Sequence, residues 1–164
     1  NSEIMTFLTN DTLAMQIDLN GHVTMPKQSC FQAKPTNDQN NITADSLTEI
    51  VFDNERFDVN GDFASNTFTA PVTGKYQLQF SIRLQNTDTD VTSYDFNILT
   101  SNKNYNTRFD PDYGDSDTAF LTITLSILAD MDAADTAKLD YYQFGGASQT
   151  DVDTQSYFSG YLVC

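Results

Sequence analysis

Alternation of apolar and polar residues is the strongest pattern in this chain, and it is clearest from Lys75 to Leu84. Every second residue there is Tyr, Leu, Phe or Ile, and the residues between them are Lys, Gln, Ser and Arg. A period of two places successive side chains on opposite faces of a β-strand, so the segment predicts a strand with one buried and one polar face. A turn at Pro71–Gly74 precedes it, because proline cannot donate to a ladder and glycine can adopt a positive φ.

The same pattern recurs along the chain and predicts about ten strands in all. The other strand-like segments are residues 13–19, 23–25, 28–34, 47–52, 68–70, 94–98, 105–109, 121–127, 136–144 and 156–163. Polar, turn-forming residues separate these segments, and residues 57–63 predict a bend flanked by aromatics. No segment predicts an amphipathic helix. Many short strands separated by turns are typical of an all-β sandwich or barrel.

The N-terminal residues predict a separate β-hairpin. Residues 13–19 and 23–25 alternate on either side of Asn20-Gly21, a pair that favours a two-residue hairpin turn. One hairpin is not stable alone, so it must pack on the rest of the chain or on copies of itself. We therefore expect a hairpin stalk at residues 1–27 and a domain, called the head, at residues 28–164.

The composition supports a real core and excludes several classes of partner. The 164 residues include 12 Phe and 8 Tyr, which can fill the interior of one domain. No apolar run reaches 18 residues, so we expect no membrane insertion. The formal charge of -15 repels phosphate, so we expect no nucleic-acid partner. The same charge favours metal cations, basic partners or a salty medium, or serves only solubility.

Residues that could carry catalysis are few. The single histidine, His22, lies beside the predicted hairpin turn, where a surface role is the simpler interpretation. The sequence has no nucleophile elbow, no phosphate-binding glycine loop and no dinucleotide fingerprint. We therefore expect a protein without enzyme activity.

An acidic segment from Asp110 to Asp117 is the best candidate for a metal site. Its four carboxylates belong to Asp110, Asp112, Asp115 and Asp117. Calcium binds six to eight oxygens in flexible geometry, so this segment predicts a calcium site, although the spacing is not that of an EF-hand. The alternative is a solvated acidic loop. Weaker alternatives in other loops are the pairs Asp88 with Asp90 and Asp151 with Asp153.

Two tyrosines, Tyr105 and Tyr113, lie in or beside predicted loops and are candidate platforms for a sugar ligand. Loops on a rigid sandwich commonly carry binding residues. Packing in the core or in an interface is the alternative role for both rings.

The chain resembles the globular head of the C1q family across about residues 28–164. The matching residues are Phe52, Asp58, Phe63, Phe68, Gly74, Tyr76 and Phe80. The interval from Phe63 to Phe68 is two residues shorter than the family pattern, and Leu78 replaces the usual Phe. The ending Tyr157–Val163 resembles the last strand of that family, commonly Phe-Ser-Gly-aromatic-Leu.

This resemblance implies the jelly roll shared by C1q heads and tumour-necrosis-factor-like ligands, usually assembled as a homotrimer through one sheet. In this chain that sheet would include the strands from Lys75 and from Ser156. The residues that would meet at the three-fold axis are Gln77, Gln79, Ser81, Tyr157, Tyr161 and Val163. Their alternative role is simple exposure to solvent, which apolar residues on that face argue against. Some relatives bind calcium near the trimer apex, which supports the acidic segment by analogy.

The jelly roll also implies that its first and last strands pair antiparallel, which would bring Cys30 near Cys164. A disulfide between them and two free thiols both remain open at this point.

The predicted hairpin resembles a repeat in the shafts of bacteriophage tail fibres, where it precedes a terminal head. The residues that match are Met15, Ile17, Asp18, Asn20, Gly21 and Val23. Together with the head signature, it predicts the trimeric tip of a virion fibre that binds a host cell-surface receptor, either glycan or protein. One alternative is a secreted C1q-like recognition module, lectin-like or matrix-binding. Others are an architectural virion protein without a ligand and an ordinary N-terminal hairpin.

Overall fold

The computed structural model describes residues 3–111 and 116–164, and its regular elements are all strands. The strands are β1 (Met5–Thr9), β2 (Thr12–Ile17), β3 (Val23–Thr24), β4 (Cys30–Lys34), β5 (Thr48–Glu49), β6 (Asn54–Asp58), β7 (Phe63–Ala64), β8 (Thr67–Thr69), β9 (Gly74–Thr87), β10 (Ser93–Thr100), β11 (Asn104–Phe109), β12 (Thr118–Met131), β13 (Thr136–Phe144), β14 (Asp151–Val152) and β15 (Tyr157–Leu162). Within these residues, no helix is long and apolar enough to cross a lipid bilayer.

The head consists of two antiparallel sheets of six strands each. The first, called the β10 sheet, has the order β11-β10-β13-β8-β7, with β5 added beside β13. The second, called the β9 sheet, has the order β12-β9-β15-β4-β6, with β14 added beside β9. Strands far apart in sequence are neighbours in both sheets, which confirms the predicted jelly roll.

The core lies between the two sheets and is rich in aromatic rings. The apolar residues of β9 that begin at Tyr76 and include Phe80 are each exposed by 2% or less. This confirms the prediction that one face of this strand is buried. Phe31 stacks on Phe68 with ring centroids 4.8 Å apart and meets Phe158 edge-on at 5.1 Å. Such contacts add specific geometry to the burial of large apolar areas.

The structure has fifteen strands among its described residues, against about ten predicted. Four of the strands, β1, β6, β7 and β14, have no counterpart among the predicted segments, and β7 and β14 contain only two residues each. β14 arises in a predicted loop because Asp151 lies opposite Gln85 at the end of β9. β6 likewise replaces part of the predicted bend, since Phe57 pairs with Gln32 of β4. Such pairings depend on residues far away in sequence and leave no local pattern.

The N-terminal sheet consists of β1, β2 and β3 and differs from the predicted hairpin by the strand β1. Asn10 and Asp11 join β1 to β2 with φ values of 50° and 58°, as a two-residue turn of type I′ requires. A register shift between Phe7 and Leu8 interrupts the alternation of β1, which explains why the pattern missed it. A turn is present at Asn20-Gly21, but it is longer than two residues, since Ile17 pairs with Val23 and the Asp18 N–H donates to the His22 carbonyl at 3.0 Å. The backbone N–H groups of Asn20 and His22 donate to the Asp18 side chain.

Candidate interaction face

The six residues predicted to meet at a three-fold axis lie on one face of the β9 sheet. Tyr157 is directly opposite Ser81, and Tyr161 is directly opposite Gln77. Gln79 lies between these pairs on the same side of β9. Val163 follows Tyr161 by two residues, and its N–H donates to the Lys75 carbonyl at 2.8 Å. Residues opposite each other in an antiparallel pair share a face, so the six side chains point away from the core.

This surface, called the outer face, also includes residues of the neighbouring strands. Its central residues are Cys30, Gln32, Gln77, Gln79, Ser81, Thr124, Ser126, Leu128, Tyr157, Ser159 and Tyr161. None of these eleven is Asp, Glu, Lys or Arg, although the chain carries a charge of -15. The centre of the outer face is therefore uncharged in a strongly acidic protein.

Three exposed apolar residues of the outer face were missed by the sequence analysis. Phe57 of β6 is 49% exposed, and Phe120 and Leu128 of β12 are 62% and 56% exposed. The register places Leu128 opposite Gln77 and Phe120 opposite Gln85, within the otherwise polar phase of β12. An apolar residue in the polar phase of an alternating strand is the signal that could have identified both β12 residues. Phe57 gave no such signal, because its segment does not alternate.

A shallow depression of about 260 Å³ lies at the middle of the outer face. The rings of Phe57 and Tyr161 line it, together with Cys30 and Gln79. Gly160 forms part of its floor, and a Cβ at this position would lie 2.6 Å from Leu78 Cδ2 and 2.9 Å from Phe31 Cε1. The core beneath the depression is therefore full, and the depression can only be filled from outside.

Hydrogen bonds between side chains hold the polar part of the outer face in place. Gln77 Nε2 donates to Ser126 Oγ at 2.7 Å, and Gln79 Nε2 donates to Ser159 Oγ at 3.2 Å. These bonds cross from β9 to the strands on both sides of it. The face is consequently organised before any partner reaches it, which lowers the ordering cost of binding.

Among residues 3–111 and 116–164, charged pairs on the outer face lie towards its two ends. Lys75 pairs with Asp130 at 2.5 Å at one end. At the other end, Arg83 Nη2 donates to both carboxylate oxygens of Asp153, at 2.7 and 2.6 Å. Burial raises the pKa of Asp153, but hydrogen bonds from Arg83, the Gln155 backbone and Gln85 outweigh this effect and lower the pKa overall.

The two cysteines are both free thiols. The register places Cys30 opposite Tyr161, whereas Cys164 lies beyond the end of β15. The first and last head strands therefore pair as the jelly roll implied, but the thiols are not joined in a disulfide.

The predicted calcium segment is described only in part. Asp112 and Asp115 lie outside the described residues. Asp117 is held by Thr89, whose backbone and hydroxyl donate to Oδ1 at 3.0 and 3.2 Å, and by Gln149, which donates to Oδ2 at 2.8 Å. The bonds from Gln149 and Thr89 lower the pKa of Asp117. The described residues, which include Asp110, contain no cluster of three metal-ligating side chains, so the calcium site stays a prediction.

The weaker acidic alternatives bind neighbouring loops together. Asp88 is buried, and its carboxylate accepts hydrogen bonds from the backbone N–H groups of Asp90, at 2.8 Å, and of Ala147. Asp151 accepts from the Asn41 backbone at 2.7 Å and from Asn86 Nδ2 at 2.8 Å. Such internal bonds use the oxygens that a cation would need.

Tyr105, a predicted sugar platform, lies far from the acidic segment. Its half-buried ring packs against the core, and the Lys103 ammonium lies 4.9 Å from the ring centroid. Tyr105 and Asp130 both line a depression of about 300 Å³. Asp130 lies at the C-terminal end of β12, whereas Asp117 precedes the N-terminal end of that strand. Tyr113, the other predicted platform, lies outside the described residues. The binding roles of both tyrosines stay predictions.

The segment that joins the N-terminal sheet to the head, residues 25–29, is called the root and is bound to the last strand. Gln28 Nε2 donates to the Leu162 carbonyl at 2.7 Å, and the Leu162 N–H donates to the Ser29 carbonyl at 3.0 Å. The root therefore lies beside Tyr161 and Val163. Asp117 lies beyond the opposite end of β9, since Thr118 pairs with Thr87. The loops at that end, which include residues 88–92, 110–111, 116–117 and 145–150, are called the apical loops.

Comparisons with known proteins agree with this architecture. The family model of the C1q domain matches residues 30–163. The globular domain of the zebrafish complement 1qA protein is 14% identical, with 84% of this chain and 98% of that chain covered at a TM-score of 0.60. Murine APRIL at pH 8.0 is 10% identical, with 84% and 100% covered at a TM-score of 0.58. No curated protein matches the sequence. Because the family model spans most of the chain, the protein belongs to the C1q-domain family.

Proposed function

We propose that this protein is a non-enzymatic homotrimeric recognition head that assembles through the outer face. The observation that carries this proposal is the uncharged centre of that face in a chain of charge -15. Copies of a strongly acidic protein repel each other, so they can pack closely only where like charges are absent. Charge depletion with exposed aromatic rings is also the composition of an interface core.

Phe57 and Tyr161 are the proposed anchors of the assembly. Both rings are about half exposed and line the depression of the outer face. Buried aromatic side chains commonly dominate binding energy when they fill a pocket of the partner. The sheet involved is also the one through which the resemblance to C1q heads implied trimerisation.

The apical loops are the proposed ligand-binding region. They lie at the end of the head away from the root, so assembly through the outer face leaves them accessible. Asp88, Asp117 and Asp151 hold these loops in place through hydrogen bonds, as a recognition surface on a rigid scaffold requires. Calcium bound by residues 110–117 would complete this region.

The proposed setting is the tip of a virion fibre, where the head attaches to a glycan or protein receptor on the host surface. The N-terminal sheet at the root supports this setting, since it gives the head a β-structured connection opposite the apical loops. The C1q family membership itself supports the alternative, a secreted recognition module. A collagen-like Gly-X-Y segment before residue 1 would favour the secreted module, and β-structured repeats there would favour the fibre.

The native mass in solution tests the assembly. We expect light scattering to give three times the 18.3 kDa chain mass. The same measurement with calcium and then with a chelator tests whether the acidic segment contributes, and loss of the trimer in chelator would implicate it. A mass of one chain in both buffers would contradict the proposed trimer. Binding to glycan arrays and to host cells, with a head lacking the apical acidic residues as control, tests the recognition role.

A further inference from the structure

The N-terminal sheet has one apolar face and one polar face. Met5 lies opposite Ile17, Phe7 lies opposite Met15, and Val23 also lies opposite Ile17. The apolar side chains of these paired positions therefore share one face of the sheet. The residues at the intervening positions are Thr6, Gln16 and Thr24.

No part of the chain that the structure describes covers the apolar face. Met5 and Val23 are each 55% exposed, and Phe7 is 47% exposed. Among the described residues, the buried hydrophobic core begins at Phe31. Because a sheet with one apolar face needs a second layer, the N-terminal sheet is structurally incomplete in a single copy.

The root determines which second layer is available. Its hydrogen bonds to Leu162 place the root, which directly follows β3, beside Tyr161 and Val163 of the outer face. If three heads meet through that face, the three N-terminal sheets leave the head at the same end, each on a tether of about five residues. Short tethers give effective concentrations in the millimolar range, so another copy outcompetes an unlinked partner.

The charges of the N-terminal sheet favour another copy of this chain over a lipid surface as its partner. Residues 3–26 contain Glu3, Asp11 and Asp18 but neither Lys nor Arg. Anionic membranes attract basic residues, which this segment lacks. The apolar face itself carries no charged side chain, so copies can approach each other through it.

We propose that the N-terminal sheets of three copies pack together through the face formed by Met5, Phe7, Met15, Ile17 and Val23, as a second assembly element below the heads. This inference rests on the proposed trimer of heads. It assigns to the stalk a self-association surface of its own, distinct from the outer face.

A tryptophan introduced by Phe7→Trp tests this packing in the full chain, which has no tryptophan of its own. Thr6→Trp is the matched control, because it places the same reporter one residue away on the opposite face. Acrylamide is a suitable quencher, since it is uncharged and is not repelled by the acidic protein. In protein of three-chain mass, we expect acrylamide to quench the Phe7→Trp variant several-fold less than the control, with the emission of the variant shifted to shorter wavelength.

Equal quenching of the two variants at a three-chain mass would overturn this inference and leave the trimer of heads intact. A one-chain mass for the unmodified protein would overturn both proposals. A second variant guards against a local effect of the large indole ring. The combined change Met5→Thr, Phe7→Thr and Val23→Thr should speed amide hydrogen exchange in β1 and β2 by roughly tenfold or more at unchanged mass. Unchanged exchange would also count against the packing.

Discussion

The head and the N-terminal sheet are built from the same alternating pattern, but they use it differently. In the head, Phe80 is only 2% exposed, because the β10 sheet covers the apolar phase of β9. In the N-terminal sheet, Phe7 is 47% exposed, because none of the described residues forms a second layer over it. Alternation thus shows which side chains share a face, whereas burial depends on what packs against that face. An apolar face without a cover indicates a partner.

A second contrast separates the two faces of the β9 sheet. The inner face is filled by aromatic and aliphatic side chains, while the outer face combines uncharged polar residues with a few exposed rings. The outer face is neither a core nor an ordinary acidic surface. A surface of this composition can stay exposed in the folded monomer and still form an interface between copies.

The largest expected change in stability follows from removing an aromatic ring of the core, and the control removes a ring of the N-terminal sheet. Phe31→Ala removes a ring that contacts Phe63, Phe68 and Phe158, and it should lower the free energy of unfolding by about 3–5 kcal/mol. Phe7→Ala is the control and should change head unfolding by less than about 0.5 kcal/mol. Denaturant unfolding at fixed protein concentration measures both. Similar losses in the two variants would show that the regions unfold as one unit.

Gly160→Ala compares the two faces of one strand. The new methyl group would lie 2.6 Å from Leu78 Cδ2 and 3.1 Å from the Gln77 carbonyl oxygen, so we expect a loss of about 1–3 kcal/mol from overpacking. Ser159→Ala changes the adjacent residue on the outer face and removes only its bond to Gln79, at a cost of about 1 kcal/mol. Thermal unfolding distinguishes the two. Unchanged stability in Gly160→Ala would show that the core beside Gly160 can rearrange to accept the methyl group.

Acid should affect the stability of the head through Asp153 but not through Asp18 in the N-terminal sheet. The pKa of Asp153 is below its ordinary value of 3.8, so the stability it contributes is present above that pH and is lost as the pH falls through the lower folded value. Asp153→Asn should cost about 1.5 kcal/mol at pH 7, reduced by the partial exposure of Arg83, and should weaken the dependence of unfolding on pH below about 4.

Asp18→Asn is the control for the acid response. The hydrogen bonds that His22 makes lower the pKa of Asp18, but this exposed carboxylate lies in the N-terminal sheet. The unfolding of the head should therefore be unaffected by it at every pH. An unchanged acid response in Asp153→Asn would refute the role given to the pair with Arg83.

The smallest expected effect concerns salt. Each copy carries a charge of -15, while the centre of the outer face contains no ion pair that salt could weaken. Raising the salt concentration screens the repulsion between copies, so the dissociation constant of the trimer should fall by a few fold between about 0.02 and 0.5 M. Sedimentation equilibrium measures this change. A trimer that weakens with salt would point to an interface dominated by charged contacts instead.

The resemblance to C1q heads implied the jelly roll and the presence of β9 and β15 in one sheet. Local patterns predicted an all-β sandwich or barrel and the shared face of Gln77, Gln79 and Ser81, because both follow from short strands with a period of two. They did not predict the pairing of Arg83 with Asp153, which are 70 residues apart. They also missed the exposed ring of Phe57, because its place on the outer face depends on the register between β6 and β4. The sequence could not predict which residues contact each other across neighbouring strands. The interaction face depends on such contacts.

The mass of two matched variants tests the central claim most directly. Tyr161→Glu places a charge at the centre of the outer face, and Leu47→Glu places the same charge on a residue that is 62% exposed elsewhere on the head. Light scattering should give one chain for Tyr161→Glu and three chains for Leu47→Glu. Three chains for both variants would contradict assembly through the outer face.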